Sequence, residues 1–154
     1  MSVLLSVFIV AASQAQSSKT LYFEALGNGV VYSINYDWRF KPGSDGIGAR
    51  IGFGGIYAQK DVVITLPVMV NYLIGKNGHF LELGAGGGFY RFPDNIVGDY
   101  DWEAVVGATF SVKYRWQSPK GGLMFTVGWT PLFSNELTHP YWMGISFGHA
   151  FKPK

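Results

Sequence analysis

The sequence predicts an all-β protein, an eight-stranded antiparallel up-and-down transmembrane β-barrel. Three observations lead to this prediction. Apolar and polar residues alternate along most of the chain, and turn-forming residues divide the alternation into segments of similar length. Aromatic residues make up 17% of the chain and charged residues only 14%, against roughly 25% charged residues in soluble domains. Alternating strands with one continuous apolar face are typical of barrels that face lipid.

The first 15 residues have the pattern of a secretory signal peptide. Val3–Ala12 is a short apolar run, and the small residues Ser13 and Ala15 suit cleavage after Ala15. The run has about half the length that a helix needs to cross a bilayer. No Lys or Arg precedes it, which leaves a start a few residues upstream or a buried N-terminal element as alternatives. We expect a signal peptide over 1–15 and the barrel domain over 16–154.

The clearest alternation begins near Val30. Every even-numbered residue from Val30 to Phe40 is apolar or aromatic, and every odd-numbered residue from Ser33 to Arg39 is polar. Successive side chains of a strand point to opposite faces, so each parity forms one face. Trp102–Gln117 repeats the pattern, again with its apolar residues at even positions. A helix cannot account for a period of two over so many residues.

Turn-forming residues delimit eight such segments. We predict strands at 19–27, 30–40, 46–58, 62–74, 79–92, 102–117, 122–133 and 141–151. Most have the roughly 9–11 residues that a tilted strand needs to cross the hydrocarbon layer. Asn28-Gly29 is a strong signal for a two-residue hairpin, although Leu21–Phe40 could also form one long strand with a glycine bulge.

The connections also alternate in length. Short turns rich in Gly, Pro, Asn and Ser alternate with the longer Pro93–Asp101 and Ser134–Pro140, apart from tight links after the first and third strands. Outer-membrane barrels show this asymmetry, with short periplasmic turns and longer outer loops. The even strand count returns both chain ends to the periplasm.

The charged residues within the predicted strands lie on the polar face of each strand. They are Glu24, Asp37, Arg39, Arg50, Glu82, Glu103, Lys113 and Arg115. Positive and negative charges are equal in number, which suits mutual neutralisation in a narrow interior. We predict that these side chains point into the barrel and form ion pairs, because an isolated buried charge is strongly unfavourable. Eight strands leave an interior that side chains fill, so a diffusion pore is not expected.

Three segments carry a resemblance to a known group of proteins. FEALGNGVVYSINYDWRF (Phe23–Phe40), NYLIGKNGHFLELGAGGGFY (Asn71–Tyr90) and WMGISFGHAF (Trp142–Phe151) resemble small, mostly uncharacterised outer-membrane β-barrel proteins of Gram-negative bacteria, eight-stranded and OmpA/OmpX-like. The resemblance covers most of the chain after the signal peptide. It implies an outer-membrane location, and Phe151 resembles the C-terminal aromatic signal read by the barrel-assembly machinery. Its motifs are strand patterns, so it implies no active site.

Motifs for cofactors, metals and nucleic acid are missing from the sequence. No Lys-Ser/Thr follows the glycines of Gly84–Gly88, so this run does not form a phosphate loop. The chain has no Cys, and His79, His139 and His149 lie in three separate places, without the close spacing of metal ligands. The net charge of +2 and the lack of a basic stripe argue against nucleic acid. We expect no cofactor and no metal.

Two other functions remain as alternatives to a structural or surface-interaction barrel. A lipid A-modifying enzyme needs a nucleophile, a base and an acid within reach of one another. Ser146 and His149 differ by an odd step and face opposite sides, while Ser134, Glu136 and His139 cluster in a loop without rigid support. We therefore expect no catalysis. In a soluble lipocalin-like ligand binder, the strand face that carries the aromatic residues would have to point inward.

The long loops are the best candidates for an interaction face, because recognition commonly resides in loops on a rigid scaffold. Their acidic and aromatic residues are Asp94, Asp99, Tyr100, Asp101, Glu136 and His139. Such a rim could hold a divalent cation between lipopolysaccharide phosphates or bind a basic partner, or the loops are simply solvated. The expected partners are outer-membrane lipids, lipopolysaccharide and, during biogenesis, the barrel-assembly machinery. The sequence does not indicate an oligomeric state.

Overall fold

The computed structural model describes residues 17–58, 61–91, 105–135 and 138–151, so the expected signal peptide lies outside the described residues. The described part contains β1 (Ser17–Leu26), a 3-10 turn (Gly27–Gly29), β2 (Tyr32–Pro42), β3 (Gly46–Ala58), β4 (Asp61–Lys76), β5 (His79–Arg91), β6 (Val105–Gln117), β7 (Gly122–Trp129), β8 (Leu132–Phe133), β9 (Thr138–His139) and β10 (Met143–Phe151). No helix among these residues is long and apolar enough to cross a membrane.

Eight long strands form a closed barrel. β1 to β7 pair antiparallel in chain order, and β10 closes the barrel by pairing with both β7 and β1. The remaining two strands, β8 and β9, form a small hairpin attached to β6. The predicted eight-stranded antiparallel up-and-down barrel is therefore confirmed.

The two ends of the barrel differ. Three short turns and the described chain ends, Ser17 and Phe151, lie at one end, which we call the turn end. Asn77 and Gly78 form its tightest turn, with φ values of 57° and 86°, the positive values of a two-residue hairpin. The opposite end, which we call the loop end, carries the connection 27–31 and the segment between β7 and β10.

The predicted strand 122–133 is wrong in its continuity. β7 ends at Trp129, and Pro131, which has no backbone N–H, lies in the interruption before β8. The backbone carbonyl of Pro131 instead accepts a hydrogen bond from the N–H of Phe110 at 3.3 Å. The predicted loop Ser134–Pro140 in turn contains β9, which pairs with β8.

The connection between β1 and β2 is also longer than predicted. These strands pair antiparallel, so Leu21–Phe40 is a hairpin and not one bulged strand. The two-residue Asn28-Gly29 turn is wrong, because β1 already ends at Leu26 and β2 begins only at Tyr32. Of the five residues between them, Gly27, Asn28 and Gly29 are buried, and Val31 is exposed.

The alternation in sequence becomes an alternation of burial. Along β6, residues from Val105 to Gln117 are alternately buried and exposed, with Lys113 and Arg115 inside and Val112 and Tyr114 outside. A small apolar cluster of Tyr22, Met124 and Ala150 lies inside the barrel. Most other fully buried side chains are polar or charged, so the interior is chiefly a polar core.

Candidate functional site

The interior of the barrel brings together seven of the eight predicted strand charges. Each of the seven is at most 2% exposed: Glu24, Asp37, Arg39, Arg50, Glu82, Lys113 and Arg115. The eighth, Glu103, lies outside the described residues. Five strands contribute these side chains, and all of them point inward because they share one parity.

The seven charges form one continuous series of ion pairs. Signs alternate along it in the order Arg39, Asp37, Arg115, Glu82, Arg50, Glu24, Lys113. Arg39 and Asp37 are 2.6 Å apart, and Arg115 bridges Asp37 at 3.3 Å and Glu82 at 3.2 Å. Each carboxylate meets two cations, so the Coulomb attraction offsets part of the cost of removing these charges from water.

Neutral side chains add hydrogen bonds to this network, while Glu24 Oε2, Glu82 Oε1, Arg39 Nε and Arg50 Nε have no hydrogen-bond partner among the described residues. Asn71 donates to Asp37 at 2.6 Å and accepts from Arg39. Arg50 donates to the hydroxyl of Tyr22 at 2.9 Å, and Arg115 donates to Thr20 at 2.9 Å. Hydrogen bonds of this kind are what allow charged groups to be buried.

A second set of interior atoms has no hydrogen-bond partner among the described residues. It includes the hydroxyl oxygens of Thr65 and Ser111 and the amide oxygen of Asn35. All three side chains are at most 2% exposed. Unpaired buried polar groups are uncommon in native proteins and call for an explanation, such as water or another polar molecule beside them.

Inward glycines make room for the long charged side chains. A Cβ atom at Gly48 would lie 2.3 Å from the guanidinium carbon of Arg39, which Gly48 faces across the β2–β3 pair. The absence of a side chain at Gly48 therefore leaves the space that the Arg39 guanidinium occupies.

Gly48→Ala should displace Arg39 from Asp37 and Asn71 and press on the Trp38 carbonyl oxygen, 2.3 Å from the added Cβ. We expect it to destabilise the barrel by about 1–3 kcal/mol, the usual cost of overpacking. Urea unfolding of the refolded protein in lipid vesicles measures this cost. Gly87→Ala is the control, because Gly87 lies on the outward face of β5. Among the described residues, its added Cβ would meet only the backbone oxygen of Gly107, at 3.2 Å. Equal costs for both variants would contradict the fit of Arg39 against Gly48.

The Gly27–Gly29 turn closes the loop end from inside. Asn28 donates through its side-chain amide to the Thr109 hydroxyl at 2.5 Å and to the Phe110 carbonyl at 3.0 Å. Its amide oxygen accepts from Arg50, which links the turn to the charge network. Asn28 was not among the predicted site residues, because an Asn-Gly pair usually indicates an exposed hairpin turn.

Two more side chains hold the backbone of this turn. The Tyr90 hydroxyl donates to the Asn28 carbonyl at 3.0 Å, and the Trp142 indole N–H donates to the Gly27 carbonyl at 3.0 Å. The turn therefore hydrogen-bonds to residues of β3, β5 and β6 and to Trp142 just before β10. It occupies the middle of the barrel's loop end.

The outer wall is the apolar counterpart of this interior. Its mid-wall residues Val68, Val70, Phe110 and Val112 are all exposed. On the described side chains of this wall, charges occur only near the two ends, as Lys19 and Lys76 at the turn end and Arg91 at the loop end. The strand face that carries most of the aromatic residues therefore points outward.

The predicted enzyme and loop candidates are not brought together by the described residues. Ser146 is buried and hydrogen-bonds to Thr126 at 2.9 Å, while His149 is exposed and packs on Phe151. His139 is exposed and packs against Trp142, with ring centroids 5.3 Å apart. The other loop candidates, Asp94, Asp99, Tyr100, Asp101 and Glu136, lie outside the described residues.

No metal-binding cluster of three or more His, Cys, Asp or Glu side chains occurs in the described part of the chain. The Nδ1 atom of His79 lies 2.6 Å from the hydroxyl of Tyr114 on the outer wall. This pair is a side-chain hydrogen bond near the turn end.

Comparison with known proteins places the fold. No protein-family model and no curated protein matches the chain. Among solved structures, the chain is similar to the N-terminal β-barrel domain of Pseudomonas aeruginosa OprF, with a TM-score of 0.69 and 14% sequence identity. The match covers 89% of this chain and 98% of that domain. The eight-stranded fold implied by the resemblance in sequence is confirmed, and the chain has the closed antiparallel barrel fold of the OprF domain.

Proposed function

We propose that the chain is an integral outer-membrane β-barrel with a structural or surface-interaction role, a polar interior filled by side chains, and no catalytic activity. The observation that carries this proposal is the distribution of charge between the two faces of the strands. Ion pairs occupy the inside, and apolar side chains cover the outside.

The height of the apolar wall fits a bilayer. On β5 the outward residues from Leu81 to Phe89 are apolar or glycine. At ~3.3 Å per residue they extend about 26 Å along the strand, or roughly 20 Å along the barrel axis at the usual tilt. Aromatic residues near the strand ends extend the wall, as in barrels whose apolar band is about 25 Å tall.

This distribution is the reverse of what a soluble barrel needs. A lipocalin-like binder would hold Tyr36, Phe110 and Tyr114 inside, whereas all three are exposed on the outer wall. Water around such a continuous apolar surface would favour aggregation, because soluble monomers rarely expose apolar patches larger than a few hundred Å². The similarity to an OprF barrel domain also supports a membrane location.

Lipid A modification is the weaker alternative. Acyl transfer or hydrolysis requires a nucleophile and a base within hydrogen-bond reach on a rigid support. Ser146 and His149 lie on opposite faces of β10. Within the described part of the chain, no observation favours a lipid A-modifying enzyme over a non-catalytic barrel.

We propose one partner for each end of the barrel. We propose that the loop end faces lipopolysaccharide, where the acidic residues of 93–101 and 134–140 would hold a divalent cation between phosphates or bind a basic partner. Phe151, outward-facing at the end of β10, would be read by the barrel-assembly machinery.

Membrane fractionation with gel migration before and after heating tests the location. We expect the protein in the outer-membrane fraction and a change in migration on heating, because a closed barrel stays compact in detergent until it is boiled. Recovery of the protein in the soluble fraction would contradict the proposal.

Cysteine labelling on intact cells tests the orientation. The chain has no native Cys, so Asn135→Cys near the loop end and Asn77→Cys at the turn end each provide a single reactive thiol. We expect a membrane-impermeant reagent to label Asn135→Cys and to leave Asn77→Cys unlabelled. The described chain ends lie at the turn end, and the expected periplasmic location of the chain ends places this end inside the cell envelope. The reverse pattern would overturn the proposed interaction face.

A further inference from the structure

Hydrogen bonds to the barrel wall hold the Gly27–Gly29 turn inside the barrel. Asn28 is its only side chain longer than hydrogen, and its partners are Arg50, Thr109 and the Phe110 carbonyl. The flanking Leu26 and Val31 are already exposed. Moving the turn out of the barrel would therefore remove hydrogen bonds but would not expose buried apolar side chains of the turn.

The inserted turn is also strained. Leu26 and Val30 have φ values of 59° and 68°, in a region that residues with a Cβ rarely adopt and β-branched residues adopt least. The N–H of Val31 bonds to the Gly29 carbonyl, two residues back, at 2.9 Å, which makes Val30 the centre of a strained γ-turn. Backbone strain of this kind persists only where the surroundings hold it, and it clusters at switching segments.

Polar groups without partners lie beneath the turn. A Cβ at Gly29 would come within 3.8 Å of the Thr65 hydroxyl, one of the buried oxygens that have no partner among the described residues. Ser111, the next inward residue of β6 after the Asn28 partner Thr109, also has an unpartnered hydroxyl. Further toward the turn end, Lys113 and Arg115 belong to the ion-pair network.

We propose that the Gly27–Gly29 turn is a movable plug that can also adopt a second position outside the barrel. When it leaves, the loop-end half of the interior becomes a chamber for water and small uncharged polar solutes. Arg50, Trp142 and Thr109 then lose the hydrogen-bond partners that the turn supplied, and they offer two donors and an acceptor to a carboxamide or a similar group. The ion-pair network closes the chamber toward the turn end.

Reaction of a buried thiol with iodoacetamide measures this opening. Iodoacetamide is small and uncharged and carries the same carboxamide as Asn28. The reporter is Ser111→Cys in the otherwise Cys-free full-length chain, folded in detergent micelles. Because no membrane is needed, a negative result here is separate from a failure of the proposed outer-membrane location.

We expect Asn28→Ala to raise the labelling rate of Ser111→Cys at least tenfold, and Trp142→Phe, which loses one hydrogen bond, to raise it less. Gln117→Ala, which removes a buried carboxamide at the turn end, should leave the rate unchanged. A second reporter at the turn end, Ser18→Cys, should not respond to Asn28→Ala. If Asn28→Ala does not fold, Trp142→Phe carries the comparison.

Val30→Gly distinguishes movement of this plug from a general loosening of the fold as the cause of faster labelling. Glycine adopts a positive φ without strain, so this variant should favour the inserted position and slow the labelling several-fold. A rate that rises in Val30→Gly as it does in Asn28→Ala would overturn the proposal. The proposal also fails if Asn28→Ala and Trp142→Phe, both folded, label at the parent rate.

Discussion

Glu24→Gln should destabilise the barrel by about 3–5 kcal/mol, because it leaves the buried Lys113 ammonium without its ion-pair partner. Lys113→Met should cost less, because Glu24 keeps its ion pair with Arg50 at 3.6 Å. Lys113 has Glu24 as its ion-pair partner, and both side chains are at most 1% exposed. Methionine keeps most of the length of lysine, and glutamine keeps a hydrogen-bonding group beside Arg50. The free energy of unfolding is measured by urea titration in lipid vesicles, with tryptophan fluorescence as the signal.

The double variant distinguishes lost pairing from lost packing. With both charges gone, no unpaired charge remains at this position, so the combined cost should be clearly less than the sum of the single costs. Lys120→Met, at an exposed lysine in the turn between β6 and β7, should change stability by no more than about 0.5 kcal/mol. Strict additivity of the two interior substitutions would rule out the buried pair.

Val68→Arg should cost about 2–4 kcal/mol in a bilayer, whereas Ile74→Arg on the same strand should cost about 0–1 kcal/mol. The two positions are matched, since both lie on the outer face of β4 and are 55% and 50% exposed. They differ in depth, with Val68 near the middle of the strand and Ile74 close to the turn end. A long cation near the end can reach the headgroups, which a cation at mid-wall cannot do.

If the chain were a soluble barrel in detergent-free buffer, Arg at either exposed position would reduce its stability only slightly. The depth dependence therefore tests the membrane location as well as the strand assignment. Similar costs at Val68 and Ile74 in vesicles would argue that β4 does not cross the bilayer.

The sequence was sufficient for the barrel and for the inward direction of most charges. A strict period of two assigns each residue to a face without any knowledge of its neighbours in space, so Asp37, Arg39, Lys113 and Arg115 could be placed together. Parity alone could also have added Tyr22 and Asn71, which share the inward face and bind the charged groups.

The inward turn could not be predicted in this way. Asn28 binds Thr109 and Phe110, 81 and 82 residues away along the chain, and no local pattern encodes such contacts. Its Asn-Gly dipeptide has the composition of an exposed hairpin turn, and the backbone strain at Leu26 and Val30 runs against local preference. The interruption at Pro131 was missed because the apolar residues on either side of it continue the pattern of a strand.

The pairing of β1 with β10 joins the two ends of the described chain, from Lys19 with Phe151 to Leu26 with Gly144. Before β10 is available, the strands from β2 to β6 can pair on both sides, whereas β1 and β7 each keep one open hydrogen-bonding edge. A ribosome-bound or prematurely terminated product would expose those edges, which are prone to pair with other chains. Closure of the barrel therefore has to wait for β10, and a chaperone that delays strand pairing until β10 is available would protect these edges.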